Sequence, residues 1–197
     1  WYDFDNLSKT ASVTYRGYSP SFYDGEYSGS VVIPSSVTYQ GTTYSVTSIG
    51  KEAFGMCESL KSIAIPDSVM IIEEGAFLGC SKLTNIAIPD SVTTIREMAF
   101  AYCFSLTSII IPNSVKSIGD GAFKSTKLSN IIIPDSVEYI GSLAFSNSAL
   151  TSITISNSSN LITISLAKAP FYFKIFFLIT TIPTAIIVIP AKIVIII

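Results

Sequence analysis

Three cysteines, Cys57, Cys80 and Cys103, are the side chains best suited to hold a soft metal or to do redox chemistry. Their spacing points elsewhere. At steps of 23 residues they form one column on successive coils of a stack, about 4.8 Å apart. Thr126 (or Ser125) and then Ser148 take the same place in later copies. A small, weakly polar side chain facing inward satisfies that column, and free cysteine is a frequent core residue. We read the three as buried structural thiols; a disulfide and a metal site are the alternatives. No metal and no cofactor is expected.

Carboxylates offer the next chemistry. Asp67, Asp90, Asn113 and Asp135 form a column beside the prolines, where a calcium site would need about six to eight oxygens. Each is followed by serine (Ser68, Ser91, Ser114, Ser136), which suits turn capping, with short side chains accepting backbone N–H bonds. Glu73, Glu74, Glu97 and Asp120 gather near a second turn. Paired carboxylates serve glycoside hydrolysis at roughly 5–10 Å separation. These lie on a repeated outer surface with no apolar cleft to raise one pKa, so they read as a solvated face. Histidine is absent, which removes Ser-His-Asp and Cys-His machinery, His-ligated zinc and the commonest general base. No catalytic residue is assigned, and the chain is read as a non-enzyme.

Composition agrees. The chain has 197 residues, 49% hydrophobic but only 13% charged, about half the usual charged share. A net charge of −2 provides no basic field for a phosphate backbone, so nucleic acid is excluded as a partner. Three cysteines cannot pair completely within one chain, which rules out a disulfide-dense miniature scaffold.

The elements that carry these columns are repeats. Ala-Phe recurs at Phe54, Phe77, Phe100, Phe123 and Phe145, in steps of 23, 23, 23 and 22. Ile49, Ile72, Ile95, Ile118 and Ile140 precede those rings by five residues, and Val46, Val69, Val92, Val115 and Val137 by eight. Leu60, Leu83, Leu106, Leu128 and Leu150 follow them. In one unit Leu60–Ile65 is extended with Ile63 and Ile65 inward, and Pro66 ends the strand. Val69–Ile72 is a second extended piece, and Glu74–Gly79 is expected to form one helical turn. No unit of about 23 residues buries its apolar side alone, so the copies must stack on one shared core.

The runs "SVTSIGKEAF" and "LKSIAIPDSV", echoed by "SVKSIGDGAF" and "LTSIIIPNSV", resemble the BspA-like leucine-rich repeats. The resemblance covers about residues 33–155. It implies a right-handed leucine-rich repeat solenoid, mainly β with short helical turns and β-rich caps at both ends. It also implies a bacterial secreted or cell-surface protein of a family associated with adhesion to host proteins or other cells.

The chain divides into a β-rich cap and entry strands over 1–45, repeats over 46–160, and a strand-rich cap or apolar tail over 161–197. "ASVTY", "SVVIP" and "TTYSV" are strand candidates in the first part, with Gln40-Gly41 as a hairpin turn. Tyr2, Tyr15, Tyr18, Phe22, Tyr23, Tyr27, Tyr39 and Tyr44 crowd this region; they read as cap packing, with stacking on sugars or proteins as the alternative. Trp1 opens the chain without a signal-like run, so a signal peptide is expected to have been removed, or the chain trimmed. The tail is rich in Ile, Phe and Val and broken by Pro183 and Pro190. A cap is favoured, in which "AIIVIP" pairs onto the last coil and buries its inner face. Alternatives are a membrane anchor through 175–191, at the lower limit of spanning length, and a sequence artefact. "KIVIII" is an aggregation liability unless covered.

A binding face is expected on the strand surface, taken as concave. Its outward columns are Ser62, Asn85, Ser108, Asn130 and Ser152; Ala64, Ala87, Ile110, Ile132 and Thr154; and Lys61, Thr84, Thr107, Ser129 and Thr151. Asn85, Ser108, Asn130, Ala87, Ile110 and Ile132 are the candidate contacts. Ile110 and Ile132 make an apolar stripe that a protein or glycan ligand at a cell surface would cover. The competing reading is a structural spacer or self-assembling surface element without a specific ligand.

Overall fold

A computed structural model gives the architecture. It describes residues 1–15 and 27–155, together with the backbone of strands 162–165 and 193–196. The strands are β1 (Tyr2–Asp5), β2 (Thr10–Val13), β3 (Gly29–Val32), β4 (Ser36–Tyr39), β5 (Thr42–Ile49), β6 (Leu60–Ala64) and β7 (Ile71–Ile72). They continue with β8 (Thr94–Ile95), β9 (Ser117–Ile118), β10 (Asn130–Ile133), β11 (Tyr139–Ile140), β12 (Ser152–Ile155), β13 (Ile162–Ser165) and β14 (Ile193–Ile196).

One ten-stranded sheet runs β1-β2-β5-β7-β8-β9-β11-β13-β14, with β4 paired to β5. Its repeat strands are only two residues long, yet they align in one register: Ile49 pairs with Ile72, Ile72 with Ile95, Ile95 with Ile118, and Ile118 with Ile140, all parallel. The column needs a β-branched inward residue at each step, and isoleucine fits a pleated, buried surface. Hydrogen bonds flank each pair, such as Glu73 N–H to Ile49 O at 2.9 Å and Arg96 N–H to Ile72 O at 2.9 Å.

The core lies inside the stack. Phe54, Phe77, Phe100, Phe123 and Phe145 are buried and stack face on, with centroids 5.2, 5.1, 5.4 and 5.5 Å apart. The valine column and Leu60, Leu83, Leu106 and Leu128 close around them without exposure. Tyr27 covers the first ring, tilted at 4.8 Å from Phe54.

The helical turn expected at Glu74–Gly79 is absent, and the described residues contain no helix. Gly75 and Gly79 have φ of 60° and 73°, on the wrong side of the map for a right-handed helix. Two tight turns form instead, Ala76 N–H bonding to Glu73 O and Cys80 N–H to Phe77 O, each with its left-handed residue in third place as a type II turn requires. Alternate amides reach the next coil, Gly75, Phe77 and Gly79 N–H donating to Glu97 O, Ala99 O and Ala101 O at 2.9, 2.8 and 2.8 Å, while Leu78 N–H stays within its coil on Gly75 O. A helix would have kept those donors within its own coil. Every coil repeats the device, at Glu52 and Met56, Met98 and Tyr102, Gly121 and Ser125, and Leu143 and Asn147.

The serines beside the prolines also act differently from expectation. Ser68, Ser91 and Ser114 donate backwards to Val46 O, Val69 O and Val92 O at 2.6, 2.6 and 2.7 Å, clamping each coil to the one before it.

At the N-terminal end, β1 and β2 form an antiparallel hairpin whose second strand joins β5 in parallel. Tyr39 pairs with Thr42 across Gln40-Gly41, whose φ values of 48° and 77° make a type I′ turn. Phe4 stacks on Tyr39 at 4.8 Å and meets Tyr44 at 4.7 Å, an aromatic cluster centred on a residue the sequence reading passed over. Tyr18, Phe22 and Tyr23 lie outside the described residues.

At the other end β11 pairs with β13 and β13 with β14, both parallel. The backbone of Ile193–Ile196, within "KIVIII", is therefore the last strand of the large sheet. "AIIVIP" and the whole of 175–191 lie outside the described residues. Among the described residues no helix is long and apolar enough to cross a membrane.

Candidate binding face

Each coil begins with Leu-x-x-Ile, which sends leucine and isoleucine inward and the intervening residues out. Leu60 and Ile63 are buried while Lys61 and Ala64 are exposed. The pattern recurs with Leu83 and Ile86, Leu106 and Ile109, and Leu128 and Ile131 buried. This outer surface is less regular than the sequence suggested. β3 pairs with β6 and β10 with β12, both parallel, but between them the ladder shrinks to one bridge, Ala87 to Ile110. The continuous sheet is instead the one through the Ile72 column.

Register brings the candidate contacts into rows. Val32 pairs with Ala64, Ala87 with Ile110, and Ile132 with Thr154. Val32, Ile110 and Ile132 are exposed by 77%, 83% and 62%, so three large apolar side chains stand in water on one row. Beside it runs a polar row: Asn85, Ser108 and Asn130 are exposed, and Ser62 Oγ donates to Ser30 Oγ at 2.8 Å. Val32 and Ser30 were missed in the sequence. The signal was present, since Val31-Val32-Ile33-Pro34 copies Ile63-Ala64-Ile65-Pro66.

Cys57, Cys80 and Cys103 are buried thiols in no disulfide. Cys80 Sγ donates to Phe54 O at 3.1 Å and Cys103 Sγ to Phe77 O at 3.2 Å, each reaching the preceding coil. Burial pushes the Cys80 thiol well above the usual range and that of Cys103 up to about 12. Thr126 and Ser148 hold the same column by bonding Phe123 O and Phe145 O of their own coils. No group of three or more His, Cys, Asp or Glu among the described residues is arranged to hold a metal ion.

Three of the acidic residues near the second turn, Glu73, Glu74 and Asp120, bridge coils. Arg96 Nε lies 2.9 Å from Glu73, Lys51 Nζ lies 3.0 Å from Glu74, and Asp120 Oδ1 accepts Ser142 N–H at 2.8 Å. These carboxylates are engaged in holding successive coils together.

A stack of 22- and 23-residue coils, each with an inward Leu-x-x-Ile strand, defines a leucine-rich repeat protein. The sequence matches the BspA type leucine rich repeat region in six copies over residues 47–168, and the chain belongs to that family. It is similar to a leucine-rich repeat protein of Bacteroides ovatus, with 34% identity and a TM-score of 0.67 over 83% of this chain and 48% of that one. It is also similar to a leucine-rich repeat protein of T. pallidum, with 31% identity and a TM-score of 0.69 over 83% of this chain and 72% of that one. The chain thus spans about half the length of the Bacteroides ovatus protein. No functionally curated protein matches it.

Proposed function

We propose that this chain is a binding or adhesion module at the bacterial cell surface or outside the cell. Its strand face engages a host protein, a glycan or a neighbouring cell. The carrying observation is the row of exposed Val32, Ile110 and Ile132 flanked by uncharged polar side chains. Large aliphatic groups held in water on a rigid frame gain about 25 cal/mol for each Å² of apolar surface a partner covers. Membership of the BspA type family supports the surface setting. In this reading the repeats form a right-handed superhelix, no cofactor takes part, and no reaction is catalysed. The test is binding of the purified chain to immobilised extracellular-matrix proteins and glycans, beside the variant Ile110→Lys/Ile132→Lys. Saturable binding lost in the folded variant supports the reading. Unchanged affinity in that variant overturns it.

A further inference from the structure

The same strand face carries an ordered charge pattern. Lys61 just after Leu60, Lys82 just before Leu83 and Lys127 just before Leu128 are exposed, and Asp67, Asp90 and Asp135, in the turns after the prolines, are exposed. Charge appears in pairs, coil by coil. The coils of Leu60, Leu83 and Leu128 each bear one of these lysines and one of these aspartates. The coil of Leu106 has Ser105, Thr107 and Asn113 in those places, and the rung of Val32 has Ser28 and Ser35. Lysine and aspartate of one coil are six to eight residues apart in extended chain, roughly 20–26 Å, too far to meet each other. Glu58 is exposed on the lysine side too, three residues farther from the apolar row than Lys61.

We propose that this face pairs with a second copy of the chain, about a two-fold axis running along the stack. The proposal rests on the strand-face reading above and names the partner of that face. Two copies can meet face to face about either of two axes in the plane of contact. An axis along the strands sets lysines over lysines and aspartates over aspartates. An axis along the stack reverses strand direction across the contact and keeps the order of the coils. Lys61 and Asp67, each three residues from Ala64, then face one another across the two copies. Lys82 and Lys127, five residues from Ala87 and Ile132 against three for Asp90 and Asp135, start two residues outside the facing aspartates and reach them along their side chains. Each pair forms twice. The uncharged coil meets itself, Ile110 against Ile110, and Ile132 and Val32 do the same. Such a contact is isologous, as a closed dimer demands. Each charged coil supplies both signs because, with the order kept, it must answer its own image.

Six rungs at about 4.8 Å and seven residues at about 3.3 Å give roughly 550 Å² per copy, or about 1,100 Å² in all. That is the lower end for a specific interface, so a monomer–dimer equilibrium in the micromolar range is expected. Exposed charge pairs are screened by salt, and the dimer weakens as salt rises.

Sedimentation velocity of the full chain, at rising concentration and at two salt levels, tests this. Two charge-reversed variants decide it: Lys61→Asp/Lys82→Asp/Lys127→Asp, with both rims acidic, and Asp67→Lys/Asp90→Lys/Asp135→Lys, with both rims basic. Each alone should dimerise at least about tenfold more weakly, while an equimolar mixture should form the heterodimer. Circular dichroism melts establish that both are folded; if the triple reversals loosen the fold, the reversals at 61 and 82 and at 67 and 90 carry the same test. A wild-type chain that stays monomeric overturns the proposal, as does association untouched by either reversal. A monomer whose Ile110→Lys/Ile132→Lys variant loses ligand binding overturns self-pairing and leaves the face reading standing. A charge-dependent dimer whose apolar variant binds ligands unchanged does the opposite.

Discussion

The rings of Phe77 and Phe100 lie 5.1 Å apart and within 6° of parallel, although 23 residues separate them. Neither ring is exposed, and each is flanked on both faces by another phenylalanine. The stack makes stability a nearest-neighbour property: removing one ring strands two others. Phe100→Ala should cost about 3–5 kcal/mol, and Phe145→Ala less, since Phe145 stacks on Phe123 and keeps 7% of its surface in water. Urea denaturation of both variants gives the comparison. Equal losses would mean that the coils do not transmit stability through the rings.

Ser91 and Ser136 hold the same place in the sequence and opposite places in the energetics. Ser91 Oγ donates to Val69 O at 2.6 Å, whereas Ser136 Oγ is buried without a hydrogen-bond partner. The coil before Ser136 is one residue short, the step from Ser114 to Ser136 being 22 residues where that from Ser91 to Ser114 is 23. Ser91→Ala should cost about 1 kcal/mol by leaving a carbonyl unmet, and Ser136→Ala should be neutral or stabilising. The two changes in denaturation midpoint should therefore differ in sign or clearly in size.

This pair also shows what the sequence discloses. The period, the phenylalanine column and the buried thiols were legible because every coil restates them and each needs only an inward position. The direction of the serine bond was not, because its acceptor lies 22 residues upstream and no local rule points there. The turn at Glu74–Gly79 was misread for a related reason. The left-handed residues there are Gly75 and Gly79, but Met98, Tyr102 and Leu143 hold the same places with the same φ in other coils, so no one residue type marks the turn. Val32 was hidden by the hairpin of β4 and β5, which places it 32 residues from its register partner Ala64 instead of 23.

Gly119 allows two coils to approach. A Cβ built there would sit 2.5 Å from the carbonyl carbon of Arg96, and backbone cannot step aside as a side chain would. Gly79 differs: its added Cβ would come within 2.6 Å of the sulfur of Met56, the flexible end of a side chain, with Met56 Cα at an ordinary 3.6 Å, and the main cost is its φ of 73°. Gly79→Ala should cost about 1–2 kcal/mol from the left-handed conformation. Gly119→Ala should cost more and should loosen the coils on either side. Hydrogen exchange at Ile95 and Ile118, beside Arg96 and Gly119, reads the loosening; protection unchanged there would count against close approach as the reason for glycine.

Cys103 links the buried column to pH. Its folded thiol titrates near 12 because burial disfavours the thiolate, against about 9.0 for an ordinary thiol. A group whose folded pKa is raised contributes fully below its unfolded pKa and loses that contribution as pH rises toward the folded value. The window is therefore about pH 9 to 12, and the Cys80 thiol, raised for the same reason, acts in the same direction. Cys103→Ala removes this term along with the contacts of the sulfur, including its bond to Phe77 O. At pH 7 the wild type should be the more stable by about 1–2 kcal/mol, and that lead should shrink steadily above pH 9. Chemical denaturation of both proteins at pH 7, 9 and 10.5 measures it. A lead that stays constant across the series would show that the folded and unfolded thiols titrate alike, and so that the cysteine column admits water.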